Sequence, residues 1–515
     1  MKIVAILFSA IVINALVIWG WKMVNWVWLR PRKLEKCFRK QGMNGHPYRT
    51  LYGDTKEMAE LTKEAMLKPI KLTDDILPRI FPFYHHTLNK YGNHCYAWIG
   101  PEPRIFVMEP ELIKEIVTNN TIFKKPKPAP LVQLLVSGIS SYEDEKWAKH
   151  RKIINTAFYA EKLKCMLPAM HTSCEDMINK WEILLSENKS YELDVHPYFE
   201  DLTSDVISRT AFGSSYAEGT RIFHLQKELA ELTRQAFQSV YIPGWRYLPT
   251  RTNRRMKAID NELRDILRKI VSKRERAMKV GEASDEEDLL GILLKSNLKE
   301  IQEGGRKFGM TTDEVIEECK IFYFAGQESS SNLLIWTMVL LSMHQNWQAR
   351  AREEVQQVFQ NNKPDFEGLS RLKIVTMILN EVLRLYPPAP YFVRKAYKET
   401  KLGNMSIPPE VILVIPTIFV HHNPELWGDD VKEFKPERFA EGIATATKNR
   451  LCFLPFSWGP RICIGNNFAI METKIALAMI LQRFAFQLSP SYTHAPTYVV
   501  TLRPQCGAHL ILQKL

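Results

Sequence analysis

The chain has 515 residues, 45% apolar and 24% charged, an ordinary globular balance that excludes a disordered, collagen-like or polytopic membrane protein. Eight cysteines with no CxxC spacing exclude a disulfide scaffold, a zinc ribbon and a thioredoxin-like motif, and suit a reducing compartment. Lysine plus arginine is 69 against 57 for aspartate plus glutamate, a net of +12. Without a nucleic-acid-binding motif, that surplus points to an anionic membrane surface or an acidic protein partner.

Residues Ile3 to Trp19 are almost wholly apolar, with Asn14 as the only strongly polar interruption. With Gly20 and Trp21 the run approaches the length that crosses a bilayer core. Trp19, Trp21, Trp26 and Trp28 stand where an interfacial aromatic belt lies. A basic cluster follows (Lys22, Arg30, Arg32, Lys33, Lys36, Arg39, Lys40), and only Lys2 precedes the run. The positive-inside rule therefore places the bulk of the chain in the cytosol. Bulky tryptophans rather than a small-residue cleavage site follow, so a retained anchor is expected over a signal peptide. The expected organisation is an anchor over 1–29, a basic linker or hinge over 30–54 and one catalytic body over 55–515. With that topology the sequons at Asn119, Asn188 and Asn404 stay unglycosylated.

Helical periodicity dominates from about residue 55 to 390. Lys273 to Asp288 is a charged break. Lys299 to Gly309, with three glycines, reads as a loop. Thr311 followed by Glu314 has the capping-box spacing, and no proline interrupts the run to about Met343. Such a helix would reach roughly 45–50 Å. Its second half, LLIWTMVLL, is apolar all round and therefore buried. Ala97 to Met108, Ser406 to Val420 and Tyr498 to Leu512 read as extended. The fold class is mainly α with small β-sheets.

Residues 455–465 read PFSWGPRICIG. Phe456, Gly459, Arg461, Cys463 and Gly465 make the pattern FxxGxRxCxG, which runs directly into a helical segment. A cysteine at a helix amino terminus has its thiolate favoured by the helix dipole and by free backbone N–H groups. A glycine two residues on lets backbone approach the sulfur. This loop resembles the haem-binding loop of the cytochrome P-450 superfamily. The resemblance extends over essentially all of Arg30 to Leu515. The stretches Arg30–Asp54, Lys146–Ile154, Leu202–Gly219, Val240–Trp245, Ile316–Glu328 and Leu454–Gly465 are similar to the plant family that includes secologanin synthase and triterpenoid oxidases.

The resemblance implies the cytochrome P-450 fold, with Cys463 as axial thiolate on the iron of haem b. It implies Arg461 on a haem propionate and Phe456 over the proximal side. Trp147 and Arg151, from WAKHR, and Arg394 would also face the propionates. Ala325, Gly326, Glu328 and Ser329 match the family's oxygen groove. There Gly326 leaves room for dioxygen, and the Glu328–Ser329 pair relays protons. Serine replaces the family's usual threonine, so the hydroxyl is kept and the rotamer-restricting methyl lost. Glu381 and Arg384 share a helix face ended by Pro387. With Arg438 of FKPERF they match a buried structural triad. Glu218/Arg221 and Glu231/Arg234 have the same spacing without that context.

By the same resemblance the chain is a monooxygenase fed with electrons from NADPH by a membrane-bound flavoprotein reductase, at the endoplasmic reticulum membrane. Its substrates would be dioxygen and an apolar terpenoid, first a pentacyclic triterpene. Secoiridoid carbon–carbon cleavage and oxidation of a gibberellin-type diterpenoid acid are the alternatives. A haem-thiolate isomerase or dehydratase, or a non-catalytic haem carrier, would not need the Glu328–Ser329 pair. The apolar stretches near Phe123–Ile139, Phe322–Phe324 and Pro388–Phe392 are the expected pocket walls.

Overall fold

The computed structural model describes residues 2–186, 189–213, 216–237, 244–280, 288–305 and 307–515. Asn188, most of Val240–Trp245 and most of the charged break after Val280 lie outside the described residues.

The apolar run forms a helix over Lys2–Val24 that continues through a π-helical turn, Asn25–Leu29, into Arg30–Lys40 without a break. Its apolar window is wholly uncovered by the rest of the chain and is long and apolar enough to cross a membrane. The first part of the basic stretch, Arg30–Lys40, is helical. Pro31, Leu34 and Phe38 repeat at helical spacing and are buried against the body. Gln41 fixes the junction. Its side-chain amide donates to the Ser406 carbonyl at 3.0 Å and accepts from the Ser406 N–H at 2.7 Å.

The body is a helical mass with a mixed six-stranded sheet on one side. The sheet order is Asn44–Gly45, Cys95–Ile99, Glu102–Phe106, Val411–Ile415, Phe392–Ala396 and Phe123–Lys124. Of the expected extended segments, Ser406–Val420 is strand only to Ile415. Pro416 lacks the N–H a strand would donate, and the chain turns into a short helix over Thr417–His421. The expected loop over Lys299–Gly309 begins only at Gly305. A helix over Leu289–Gly304, started by the Asp288 side chain accepting the Gly291 N–H, absorbs its first half. Gly305, with φ +87°, ends it.

The long helix runs Thr312–Met343. The Thr311 hydroxyl accepts the Glu314 N–H and the Glu314 carboxylate accepts the Thr311 N–H. Over 32 residues it spans about 48 Å, and residues 330–342 are buried throughout. It crosses the centre of the body, packing on the helices Val195–Phe212, Arg251–Val280, Lys373–Leu385 and Asn466–Arg483.

Candidate active site

The loop carrying FxxGxRxCxG is held by backbone bonds from within. The Cys463 N–H donates to the Phe456 carbonyl and the Ile462 N–H to the Gly459 carbonyl, both at 3.0 Å. Gly459 has φ +74°, and a Cβ there would lie 2.5 Å from the Val117 carbonyl oxygen. It is the glycine the fold demands. Gly465 has φ −91°, and its nearest Cβ neighbour would be Phe158 at 3.8 Å, so neither conformation nor protein packing requires it. The helix Asn466–Arg483 starts directly after it.

Cys463 lies deep in the body, yet its side chain is accessible. It therefore opens onto interior space. Burial pushes its thiol up, opposed by the Gly465 N–H and by the charges of Arg151 and Lys125. A coordinating cation would reverse that balance and hold the thiolate.

Arg151 and Lys125 act on this sulfur, and Arg461 and Arg394 adjoin them. Arg151 donates to the Ile462 carbonyl at 2.9 Å. Arg461 donates to the Tyr142 carbonyl at 2.8 Å and to Glu143 at 2.7 Å, and its guanidinium sits 4.5 Å from the Trp147 ring. Its second terminal nitrogen is buried with no partner. Burial, then the neighbouring Arg461, push Arg394 down to about 10. Burial, then Arg461 and Arg394, push Lys125 down to about 7. Glu143 opposes all three, and Asp144 adds to it at Arg461. A cluster so depressed by its own charges is short of anions, and a macrocycle carrying two carboxylates and a central metal fits it. Lys125 and Glu143 carry no motif spacing, which is why the sequence did not single them out.

WAKHR is locked to the long helix by a buried bond between His150 Nδ1 and Glu318 Oε1, 2.6 Å. The other Glu318 oxygen accepts the Ile139 N–H at 2.9 Å.

On the long helix, Ala325 is exposed between buried turns, so it too borders interior space. Gly326 faces the neighbouring helix. A Cβ there would lie 2.8 Å from Ile207 Cδ1, which gives this glycine a packing reason. Glu328 is buried and accepts from the Thr501 hydroxyl at 2.9 Å, while Asn332 donates both to Thr501 and to the Glu328 carbonyl. The Ser329 hydroxyl donates to the Ala325 carbonyl at 2.8 Å. Glu328 and Ser329 are thus adjacent but turned to different partners. Thr501 lies on a hairpin distant in sequence.

Glu381 and Arg384 form a fully buried bidentate pair, with distances of 2.7 and 2.8 Å. Arg438 approaches Glu381 at 3.5 Å and pairs with Asp430 at 2.6 Å. Arg384 also donates to the carbonyls of His421, Val431 and Glu433. Burial holds His421 well below the usual imidazole range. It is therefore neutral, bonding the Arg384 carbonyl through Nδ1 and accepting the Leu454 N–H at Nε2. Leu454 opens the thiol-bearing loop, so His421 links that loop to the triad. The other pairs of the same spacing behave differently. Arg221 bonds Glu262 of another helix at 2.6 Å, and Glu231 with Arg234 is a surface pair.

A sequence model of the cytochrome P-450 family matches residues 77–505. Cytochrome P-450 72A397 of Kalopanax septemlobus is 58% identical, over 96% of each chain. Secologanin synthase 1 of Catharanthus roseus is 51% identical, over 98% of this chain and 97% of its own. The 7-deoxyloganic acid hydroxylase of the same plant is 53% identical, over 96% of each.

Proposed function

Because the chain belongs to the cytochrome P-450 family, a family of haem-binding monooxygenases, we propose that it inserts one oxygen atom from dioxygen into a C–H bond of a terpenoid, first a pentacyclic triterpenoid. The observation that carries the monooxygenase part of this reading is the accessible Cys463 beside a cluster in which cations outnumber anions.

In this reading Cys463 would ligate the haem iron through its sulfur, and Arg151, Arg394, Arg461, Lys125 and Trp147 would hold the two propionates. Bound haem supplies the activation of dioxygen. The chain's own residues do the rest. Cys463 and Ala325 would face the same chamber, from which apolar residues would exclude water. Ser329 spends its proton on the Ala325 carbonyl, so its lone pairs are free to accept one. For Glu328 to supply it, its carboxylate, which accepts from Thr501 through one oxygen, must first take up a proton from water and then turn the protonated oxygen towards Ser329. The triad and His421 position the thiol loop without touching the reacting atoms.

The helix Lys2–Val24 and the basic segment after it support a single membrane anchor with a cytosolic body, at the endoplasmic reticulum. Electrons would come from NADPH through a membrane-bound flavoprotein reductase. The net charge of +12 suits an acidic docking face. The relatives named secologanin synthase and 7-deoxyloganic acid hydroxylase support a second reading, oxidation of a secoiridoid or its precursor.

The test is incubation of the anchored protein with a plant reductase, NADPH and a terpenoid panel, read by mass. A gain of one oxygen atom from labelled dioxygen is expected. Cys463→Ala should abolish both that gain and the thiolate-haem signature of the reduced, carbon monoxide-bound protein. Either surviving intact would overturn the reading.

A further inference from the structure

Away from the thiol, three ligand-type side chains converge where the segment leaving the N-terminal helices meets the sheet. His46 follows the edge strand Asn44–Gly45, Asp54 precedes the helix Thr55–Met66, and Glu57 lies in the first turn of that helix. One ligand atom from each lies within 4.8 Å of the others. His46 Nδ1 and Asp54 Oδ1 are 3.7 Å apart. His46 and Asp54 are buried, and Glu57 is partly open to solvent.

The hydrogen bonds around these atoms fix what they can do. The Thr87 hydroxyl donates to the Phe83 carbonyl at 2.8 Å. Its oxygen is left to accept from His46 Nε2, 3.1 Å away, which puts the ring proton on Nε2. Burial holds His46 below the usual imidazole range, so the ring is neutral and Nδ1 carries a lone pair. The rings of Phe83 and Tyr91, 5.0 and 5.2 Å from the imidazole, and the Trp98 indole N–H, donating to the His46 carbonyl at 3.0 Å, hold the residue in place. Asp54 Oδ2 accepts the Trp98 backbone N–H at 2.8 Å. Among the described residues its buried Oδ1 accepts no hydrogen bond. Burial raises this carboxyl only to about 6, so at neutral pH it is ionised and no proton bridges it to Nδ1. A lone pair and a buried carboxylate oxygen then face each other, which is costly unless a cation stands between them.

Arg49 does not fill that role. Its guanidinium bonds Glu57 at 2.7 Å but stops 3.9 Å from Asp54 Oδ1, beyond hydrogen-bond reach. About half of its side chain is in solvent. A metal ion fits instead. Tetrahedral zinc, with ligand bonds of about 2.0–2.2 Å, sets its ligand atoms roughly 3.3–3.6 Å apart, close to the 3.7 Å found. The imidazole already donates its other nitrogen to a fixed oxygen, and the carboxylate is already oriented by a backbone N–H, as metal ligands require. The partly open side at Glu57 offers the way in and room for a water as fourth ligand.

We propose that His46, Asp54 and Glu57 bind a zinc ion, which staples the segment 46–57 to the sheet edge. An imidazole nitrogen beside two carboxylates favours zinc over calcium or magnesium, which take oxygen ligands. The site shares no residue with the cluster at the thiol and stands independently of the monooxygenase reading.

The test is a zinc titration of untagged, full-length, haem-loaded protein, first dialysed against a chelator, in competition with a fluorescent zinc indicator at neutral pH. One zinc per chain is expected at micromolar free zinc, and excess calcium or magnesium should not displace it. Thr87→Val, which removes only the oxygen that orients the imidazole, should weaken binding by about 10–100-fold. Asp54→Asn should weaken it further. Arg49→Gln, which frees Glu57, should tighten it by up to about fivefold, the worth of an exposed ion pair. Saturating zinc should raise the melting temperature of the native protein and leave that of Asp54→Asn unmoved. If Asp54→Asn does not fold, Glu57→Gln, at a partly exposed position, carries the same comparison. Zinc binding that is absent, or that these variants leave unchanged, overturns the proposal.

Discussion

At the residue scale, the energetically exposed positions are buried ionisable groups. Glu472, on the helix after the thiol loop, is buried beside Ser330 with neither carboxylate oxygen in a well-formed hydrogen bond. Burial pushes it from 4.5 up to about 8. Below the unfolded value the group is neutral in both states and its stabilising contribution is fully present. As pH rises towards 8 the unfolded chain ionises while the folded one keeps its proton, so stability falls. The slope is up to roughly 1.4 kcal/mol per pH unit. Glu472→Gln should match the native protein in thermal melts near pH 4 and exceed it near pH 8. The Glu381–Arg384 pair is the opposite case. Arg384→Ala strands a buried carboxylate and should cost about 3–5 kcal/mol, read as failure to recover folded haem protein. Lys125, Glu143, Thr501 and His421 are isolated residues. Nothing in their spacing marks them, because their partners lie tens to hundreds of positions away.

At the scale of single elements, the long helix is the most legible. Its cap, its absence of proline and its all-apolar second half are local facts, and local facts decide a helix. Thr311→Ala removes one side of the capping box and should cost about 1 kcal/mol in denaturant unfolding. Gly326 separates two physical readings of the oxygen groove. Its Cβ vector meets the flexible end of Ile207, a contact no sequence pattern shows. If packing is the reason for the glycine, Gly326→Ala should lower the melting temperature, and adding Ile207→Ala should restore it. If room for dioxygen is the reason, the double variant should stay catalytically impaired. The strand boundaries were less legible. Pro416 turns a run of β-formers into helix, and the helix over Leu289–Gly304 overrides two charged turns that resemble a loop.

For the whole molecule, the apolar N-terminal helix runs into the body through the helix Arg30–Lys40, whose Leu34 and Phe38 are buried. Removing residues 1–29 should give a folded protein no longer sedimenting with membranes. Removing residues 1–40 should also expose the sites of Leu34 and Phe38 and lower the melting temperature measurably. Sequence by itself determined what depends on neighbours along the chain: the apolar run and its basic flank, the capped helix, the FxxGxRxCxG loop, and with it the family. Only the tertiary structure decided what depends on groups meeting across the chain. It tied Glu328 to Thr501 instead of Ser329 and joined the triad to the thiol loop through His421. The reason is physical: backbone periodicity and capping act over a few residues, whereas desolvation and charge pairing act through space, between positions no local pattern connects.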